Sequence, residues 1–454
     1  MPAISLICSM VEFHHSRRII PGCFSLWLFA PAFLWSQVFA AETGSDSGYI
    51  KTDPVIYAIE ITGNRVTDAR LILREMKLKP GMVASAKAIE ADRLRIESLG
   101  LFNSVQIGFA EDAGRAVVHV RVSEPYYIYP YFVGRYKPAK PEQTVFGLGL
   151  YHYNLRGFGQ KLNVAGWGGF ARGFNISHED PWYSIADKYG ANGTVYYSDD
   201  EITDPLDQKV RRQLSGIRLS LQRRLGTRHH IAIGFDGEEI VSSSDYYTLT
   251  PGNRDRVATI RLEHKNDKRD YSYYPRRGYY IFLSGEASRV VDDHYNFYRE
   301  FADLRGYWSI YGLTFALRGW GEFGQHTLPL YRWLSVDRSY VRAGEPFSHP
   351  SGSLLGGSIE LRFDLIEPFY YSFEEVPLAG PYLMNLRFAL GGVIFIDQGT
   401  YITSRSGFKD DFNAWGFGIQ AQLPYIKTVH FLLGWTPSDE LSNPSITIRN
   451  KVTF

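Results

Sequence analysis

Residues 359–365 read IELRFDL, in which apolar and charged residues alternate without a break. A period of two is the pattern of a β-strand with one apolar and one polar face. The alternation recurs in Ile217-Leu219-Leu221 and Ile231-Ile233-Phe235, and it continues from about Tyr126 to the end of the chain. A soluble β-sandwich also alternates, but it places its charged residues outside and rarely continues over so long a stretch. The pattern therefore predicts strands with one face toward lipid and the other toward an aqueous lumen.

The composition disfavours several classes of function. The 454 residues carry a net charge of +1, which offers no electrostatic footprint for nucleic acid. The chain has 31 Tyr and 29 Phe, yet its mean hydropathy is −0.21, a combination that suits many strands with one apolar face. No Gly-x-Ser-x-Gly, Walker or His-Glu-x-x-His motif is present. We therefore expect no enzymatic activity, no cofactor and no metal site.

The N-terminus is typical of an exported protein. Arg17 and Arg18 precede a mostly apolar run, which ends at the small residues around Ala40 that a signal peptidase reads. The sequence predicts a cleaved signal peptide over residues 1–40 and a linker over residues 41–53.

The mature chain would lack both cysteine and a membrane-spanning helix. Cys8 and Cys23 are the only cysteines, and both fall in the predicted signal peptide, so no disulfide or thiolate metal site is expected. After Ala41 no stretch of about 18 residues is uninterruptedly apolar. If the mature chain spans a membrane, it must do so as a closed β-barrel, because only helices and closed barrels satisfy every backbone group in lipid.

Residues 54–124 follow a different pattern and predict a small α/β domain. An alternating strand comes first, followed by two helices for which Thr67 and Ser85 are candidate N-caps. Gly100 is a plausible C-terminal glycine of the second helix. Two further alternating stretches complete the order β-α-α-β-β.

Residues 125–454 divide into about 16 strands of membrane-spanning length with alternating short and long connections. We place four strands by their pattern: the first near residues 126–136, the eleventh near 311–322, the twelfth near 354–365 and the sixteenth near 445–454. If the N-terminal domain lies in the periplasm, connections from odd to even strands face outward. The connection before the twelfth strand is then extracellular in origin.

Several stretches resemble parts of one protein family. IEITGNRVTD and LRIESLGLFNSVQI resemble a polypeptide-transport-associated (POTRA) domain. The stretches NLRGFGQKLNV, HEDPWYS, RDYSYYPRRGYY and FIDQG, with the terminal strand SITIRNKVTF, fall in the order found in the BamA/TamA superfamily of outer-membrane assembly and transport barrels. The resemblance implies a mainly β fold, with a transmembrane antiparallel β-barrel preceded by one POTRA domain. It also implies a monomeric barrel in the bacterial outer membrane, with the POTRA domain in the periplasm.

The resemblance implies a site in the barrel lumen. A Val-Arg-Gly-aromatic motif in the sixth outer loop of the family folds into the lumen and places its arginine against acidic residues. In SYVRAGEP (residues 339–346) the valine and Arg342 match, whereas alanine and glycine replace the glycine and the aromatic. Glu360 and Asp397 match the acidic partners, and the strand phases point both inward. The alternative is three unrelated charges in pore water.

The first predicted strand, YYIYPYFVGRY, contains residues that weaken a ladder. Pro130 removes one hydrogen-bond donor, and Gly134 weakens the strand interior. Poor pairing with the last strand, which ends at Phe454, would give a seam that opens sideways. A bulge at Pro130 is the alternative.

These features favour a factor that inserts polypeptides into the outer membrane or exports them across it. The expected partners are outer-membrane lipids and unfolded client polypeptides, which the POTRA sheet edge would capture as an added strand. A dedicated secretion pore of the two-partner type and a passive or structural barrel are the alternatives.

Overall fold

The computed structural model describes most of the chain beyond residue 54. The described residues are 55–112, 115–135, 141–184, 188–226, 228–325, 327–336, 340–343, 347–349, 352–377, 380–402, 409–424, 427–441 and 444–449. The predicted signal peptide and linker lie outside this set, as does Phe454.

The N-terminal domain has the predicted order β-α-α-β-β. Its elements are β1 (Ile56–Thr62), α1 (Ala69–Glu75), α2 (Ala86–Glu97), β2 (Ser104–Asp112) and β3 (Arg115–Ser123). The sheet order is β1-β3-β2, with β1 parallel and β2 antiparallel to β3. Both helices pack on one face of this sheet around a buried apolar core. Among the described residues, no helix is long and apolar enough to cross a membrane.

The two helix starts differ in how well they were predicted. Ser85 caps α2 as expected, and its hydroxyl accepts a hydrogen bond from the backbone of Ala88. The prediction for Thr67 was wrong, because the Asp68 carboxylate caps α1 by accepting from the backbone of Arg70 at 2.8 Å. A hydrogen bond from the Arg70 guanidinium holds the pKa of Asp68 below its usual value, so this cap stays charged.

A sheet of 16 antiparallel strands follows, confirming the predicted number within the described residues. Its strands are β4 (Ile128–Arg135), β5 (Val145–Leu155), β6 (Gln160–Gly169), β7 (Arg172–Ser184), β8 (Tyr189–Thr203), β9 (Lys209–Leu225), β10 (His229–Ser242), β11 (Arg254–Asp267), β12 (Gly278–Val290), β13 (Tyr295–Ile310), β14 (Leu313–Gln325), β17 (Gly352–Tyr371), β18 (Leu386–Ile402), β19 (Lys409–Leu423), β20 (Lys427–Trp435) and β21 (Ser445–Arg449). A separate two-stranded hairpin, β15 (Leu334–Val336) with β16 (Phe347–His349), lies between β14 and β17. The predicted eleventh and twelfth strands correspond to β14 and β17.

The strands turn their apolar residues outward and enclose a lumen. Ile359 is 55% exposed, whereas its neighbours Glu360 and Arg362 are 1% and 2% exposed. Inward residues from distant strands, such as Val210 on β9 and Ala414 on β19, belong to one buried cluster. The sheet is therefore wrapped into a barrel, with the apolar face outside as predicted.

Candidate functional site

The strand register aims two carboxylates into the lumen. Ile359 on β17 lies opposite Ile396 on β18, and both isoleucines face outward. The residue after each of them, Glu360 and Asp397, therefore faces inward because side chains alternate along a strand. Arg342 approaches from the connection between β14 and β17, the sixth from an odd to an even strand, which we call the outer loop.

The structure brings Arg342, Glu360 and Asp397 into direct contact. The backbone nitrogen and Nε of Arg342 each donate to Oδ2 of Asp397 at 2.9 Å. Its Nη2 donates to the other oxygen of Asp397, and its Nη1 donates to Glu360. Such bidentate pairing matches the planar fork of arginine, which a lysine does not offer.

A second arginine, which the sequence interpretation did not assign to the site, completes the charge balance. Nε of Arg362 donates to Oε2 of Glu360 at 2.7 Å, and both side chains are almost fully buried. Two guanidinium groups therefore face two carboxylates, and the cluster is formally neutral. The signal for Arg362 was present, because in IELRFDL it shares the inward phase of Glu360.

Two further contacts hold Arg342 in place. Its guanidinium lies 3.8 Å from the centre of the Phe395 ring, a cation–π arrangement. Its backbone carbonyl accepts a hydrogen bond from Oγ1 of Thr447 at 3.1 Å. Thr447 belongs to β21, so the outer loop is tied directly to the last strand. No local sequence pattern marks Thr447 for this role.

Ala343 fits its position without backbone strain. It is buried, and its φ is not positive, so no glycine is required there. A Cβ added to Gly434 on β20 would lie 3.1 Å from that of Ala343, so the glycine leaves room for the loop. Gly344 lies outside the described residues.

The outer end of the lumen is apolar, which differs from the expected aqueous lumen. The described parts of the outer loop bury apolar side chains against inward residues of the wall. The buried cluster contains Leu328, Leu330, Leu334, Val336, Val341 and Ala343 from the loop, and Val210, Ile240, Val257, Val290, Phe297, Trp320, Leu354 and Tyr401 from the wall. The inward phase thus carries apolar residues where apolar side chains of the loop cover them, because burial against these side chains excludes water.

Polar contacts hold the same loop at its rim. The Tyr331 hydroxyl donates to Asp255 at 2.8 Å, and the Arg332 guanidinium pairs with Glu238. The Tyr295 hydroxyl donates to the carbonyl of Thr327 at 2.6 Å.

A second segment lies inside the inner end of the lumen and contacts its wall. Residues 268–277, between β11 and β12, contain three tyrosines, and we call this segment the aromatic turn. The carbonyl of Tyr273 accepts a hydrogen bond from Thr428 on β20 at 2.9 Å. Arg276 forms an ion pair with Asp364 on β17 at 2.5 Å. Burial raises the pKa of Tyr273, so its hydroxyl stays neutral.

The N-terminal domain lies across this inner mouth. Glu75 forms a bidentate pair with Arg224 on β9 at 2.8 Å, and Glu97 pairs with Arg387 on β18 at 3.2 Å. Thr67 accepts a hydrogen bond from Asn154 on β5 at 2.8 Å. These contacts fall on well-separated strands of the barrel, so the domain extends across the mouth and is not attached at one side alone.

The two edge strands of the N-terminal sheet, β1 and β2, differ in how far their outer backbone groups are covered. The start of β1 is covered, because the backbone of Ile56 hydrogen-bonds with Gly81 and Met82. Among the described residues no strand pairs with the outer edge of β2, and Phe109 on this strand is exposed. Both edges therefore lack a pairing strand among the described residues, and that of β1 is covered at its start.

The predicted seam residues lie at one end of the 16-stranded sheet. Pro130 and Gly134 on β4 face Leu150 and Phe146 on β5. Within the described residues the sheet ends with β4 on one side and β21 on the other, with no ladder joining them. Phe454 lies outside these residues.

Two family models and several solved structures resemble the chain. Residues 154–344 match the Omp85 superfamily domain, and residues 54–124 match the POTRA family, described as a surface antigen variable number repeat. BamA from Haemophilus ducreyi, lacking POTRA domains 1–3, is similar with a TM-score of 0.50 and 16% identity, over 87% of this chain and 83% of that one. CdiB from Escherichia coli is similar with a TM-score of 0.49 and 15% identity, over 87% and 75% of the two chains. At 16% identity the likeness to BamA is one of fold alone. A comparison with curated protein sequences returned no match.

Proposed function

We propose that this chain, which carries an Omp85 superfamily domain and one POTRA domain, inserts polypeptides into the bacterial outer membrane. The barrel lies in that membrane and the POTRA domain in the periplasm. The observation that carries the proposal is that the outer loop and the aromatic turn lie inside the two ends of the lumen. A client that cannot pass through the lumen must enter the membrane sideways, between β4 and β21.

The edge of β2 receives the client. An open edge presents unpaired N–H and C=O groups, which an extended segment can pair with whatever its side chains are. The contact from Asn103 to the carbonyl of Tyr382 at 2.8 Å supports this role, because it places the start of β2 at the barrel rim. A captured strand is then held close to the wall that it enters.

The Arg342 cluster keeps the outer loop inside the barrel while the wall opens. Arg342 contacts β17 and β18 through its carboxylate partners, and it contacts β21 through Thr447. The loop therefore connects β17 and β18 to the last strand. This link supports β21 from inside when it is not paired with β4.

The test is reconstituted insertion of a client. The purified chain is placed in liposomes of bacterial phospholipid, and the folding of an unfolded client barrel is followed by its shift in gel mobility. The expected result is faster client folding with the intact chain than with a chain that lacks residues 54–124. Equal rates with empty liposomes and with the intact chain would remove the insertion function.

A further inference from the structure

One side of the barrel carries a row of cations at the outer ends of its strands. These cations are Arg172 on β7, Lys209 and Arg211 on β9, Arg254 and Arg256 on β11, and Arg289 on β12. Each shares the outward phase of the apolar residues below it on the same strand, as Arg211 does with Ile217 and Leu219. We call this set the basic face.

The depth of the basic face corresponds to the membrane surface. Arg256 and Arg289 each lie about ten residues from the inner end of their strand, which is roughly the length that a membrane strand needs to cross the apolar layer. Most outward residues between each arginine and the inner end of its strand are apolar, including Ile260, Leu262 and Leu283, with His264 on β11 as a polar exception. The guanidinium groups therefore lie at the level of the lipid headgroups on the outer side.

In one part of the basic face the carboxylate is buried and its two arginine partners are exposed. Arg172 and Arg211 both donate to the carboxylate of Asp199, at 3.1 and 2.8 Å. The Asp199 side chain is 2% exposed, whereas those of Arg172 and Arg211 are 64% and 51% exposed. One buried negative charge shared by two exposed arginines leaves a net positive charge at the surface.

The neighbouring strands continue this arrangement. Arg256 pairs with Asp292 at 3.0 Å, and Arg254 lies 3.5 Å from Glu239, while both arginine side chains remain 61% exposed. Nη2 of Arg289 lies 3.0 Å from Nδ1 of His294 rather than against a carboxylate. At the strand ends the six cations thus exceed the four carboxylates that pair with them, which are Asp199, Glu201, Glu239 and Asp292. Further acidic residues, Asp204, Asp207, Asp245 and Asp293, lie in the outer connections beyond the strand ends.

The strands β17 and β18 differ from the basic face in the charge of their outer ends. The outward residues at the outer ends of β17 and β18 are uncharged, namely Ser353, Leu355, Thr400 and Ile402. The basic face on β7–β12 lies across the barrel from the sheet ends at β4 and β21. The six cations of the basic face therefore have no counterparts at the corresponding positions of β17 and β18.

We infer that the basic face binds the phosphate groups of lipopolysaccharide in the outer leaflet; the inference rests on the outer-membrane placement proposed above. The occupant follows from charge complementarity and depth, because exposed arginine forks at headgroup level match phosphate oxygens in a bidentate manner. Lipid bound there fixes the wall on this side, while the side with the seam stays free to move.

The test titrates the purified full chain in non-ionic detergent with diphosphoryl lipid A, and tryptophan fluorescence reports binding. We expect the Arg172→Gln/Arg211→Gln variant to bind at least about tenfold more weakly, because each arginine removed loses a charge-assisted hydrogen bond to phosphate. Arg256→Gln/Arg289→Gln provides a second variant with the same expectation should the first fail to fold. The matched control is Arg223→Gln, at the inner end of β9 on the same outward face, which should bind normally.

Three outcomes would overturn the inference: equal binding of dephosphorylated lipid A, equal weakening by Arg223→Gln, or full competition by phosphatidylglycerol. The measurement uses no client, so it separates the two proposals. A chain that inserts clients but ignores lipid A contradicts only the inference about the basic face. A chain that binds lipid A but inserts no client contradicts only the proposed function.

Discussion

Arg342 and its partners illustrate how buried charges can be tolerated in a lumen. Each carboxylate and each guanidinium of the cluster would cost several kcal/mol if it were buried alone. Together they satisfy one another, because Asp397 and Glu360 accept from Arg342, and Glu360 also accepts from Arg362. The cluster therefore requires all its members, and removing one leaves the others without compensation.

Arg342→Ala should destabilise the packed outer loop strongly. The substitution leaves Glu360 and Asp397 facing one cation, Arg362, and a loss of about 3–5 kcal/mol follows from an uncompensated buried charge. The measurement is urea unfolding in detergent, followed by the tryptophan signal.

Two companion variants test the reason for this loss. Arg342→Lys keeps the charge but loses the fork, so its stability should lie between those of the wild type and Arg342→Ala. Arg342→Met combined with Asp397→Asn removes a charge of each sign and should recover part of the loss. If Arg342→Ala is as stable as the wild type, pore water already solvates the two carboxylates.

The strands were predictable from sequence to a greater extent than the segments that fill the barrel. A period of two marks a strand with two different faces, so IELRFDL could be placed on the twelfth strand with Glu360 inward. The apolar outer lumen was not predictable, because inward apolar residues such as Trp320 and Leu354 have meaning only once a loop covers them. Thr67 could not be separated from Asp68 as a cap, since its hydroxyl serves a contact with Asn154 that is distant in sequence.

The contact between α2 and the aromatic turn depends on a glycine. Gly100 has a φ of +71°, and a Cβ added there would lie 2.2 Å from the Tyr273 hydroxyl. Gly100→Ala should therefore push the aromatic turn away and increase hydrogen exchange in residues 268–277, in addition to a backbone cost of about 1 kcal/mol.

Gly81→Ala is the matched control for this change. Gly81 has a φ of +89°, and an added Cβ would meet no atom within 4 Å. It should reproduce the backbone cost without affecting exchange in the aromatic turn. Tyr273→Phe combined with Gly100→Ala should restore part of the protection, because the hydroxyl is the atom that collides.

The apolar residues of the outer loop should keep water and ions from passing through the lumen. Leu334 is fully buried among the apolar residues of the loop and wall. Leu334→Asn places an unpaired amide there, so we expect water to enter and the ion conductance of the barrel in planar bilayers to rise several-fold. Leu441→Asn, at an exposed position between β20 and β21, should leave conductance unchanged. Equal conductance of Leu334→Asn and the wild type would show that this cluster does not limit ion flow.

A segment of the chain lies in the lumen at each end, so two routes for a polypeptide can be distinguished. Passage through the lumen requires the POTRA domain and the aromatic turn to leave the inner mouth. Entry between β4 and β21 leaves both in place. A tether between domain and turn should therefore block the first route and spare the second.

No cysteine follows residue 40, so an engineered disulfide has no native cysteine to compete with it. The backbone nitrogen of Ser272 in the aromatic turn lies 3.3 Å from Oγ of Ser98 at the end of α2, so Ser98→Cys/Ser272→Cys joins the two with one disulfide. We expect the oxidised variant to insert a client barrel at the wild-type rate, because the open edge of β2 and the sheet ends remain free. Each single-cysteine variant under the same oxidation is the control for chemical damage. Insertion that stops on oxidation and returns with a reductant would instead assign the client to a route through the inner mouth, and lateral entry from a docked POTRA domain would be wrong.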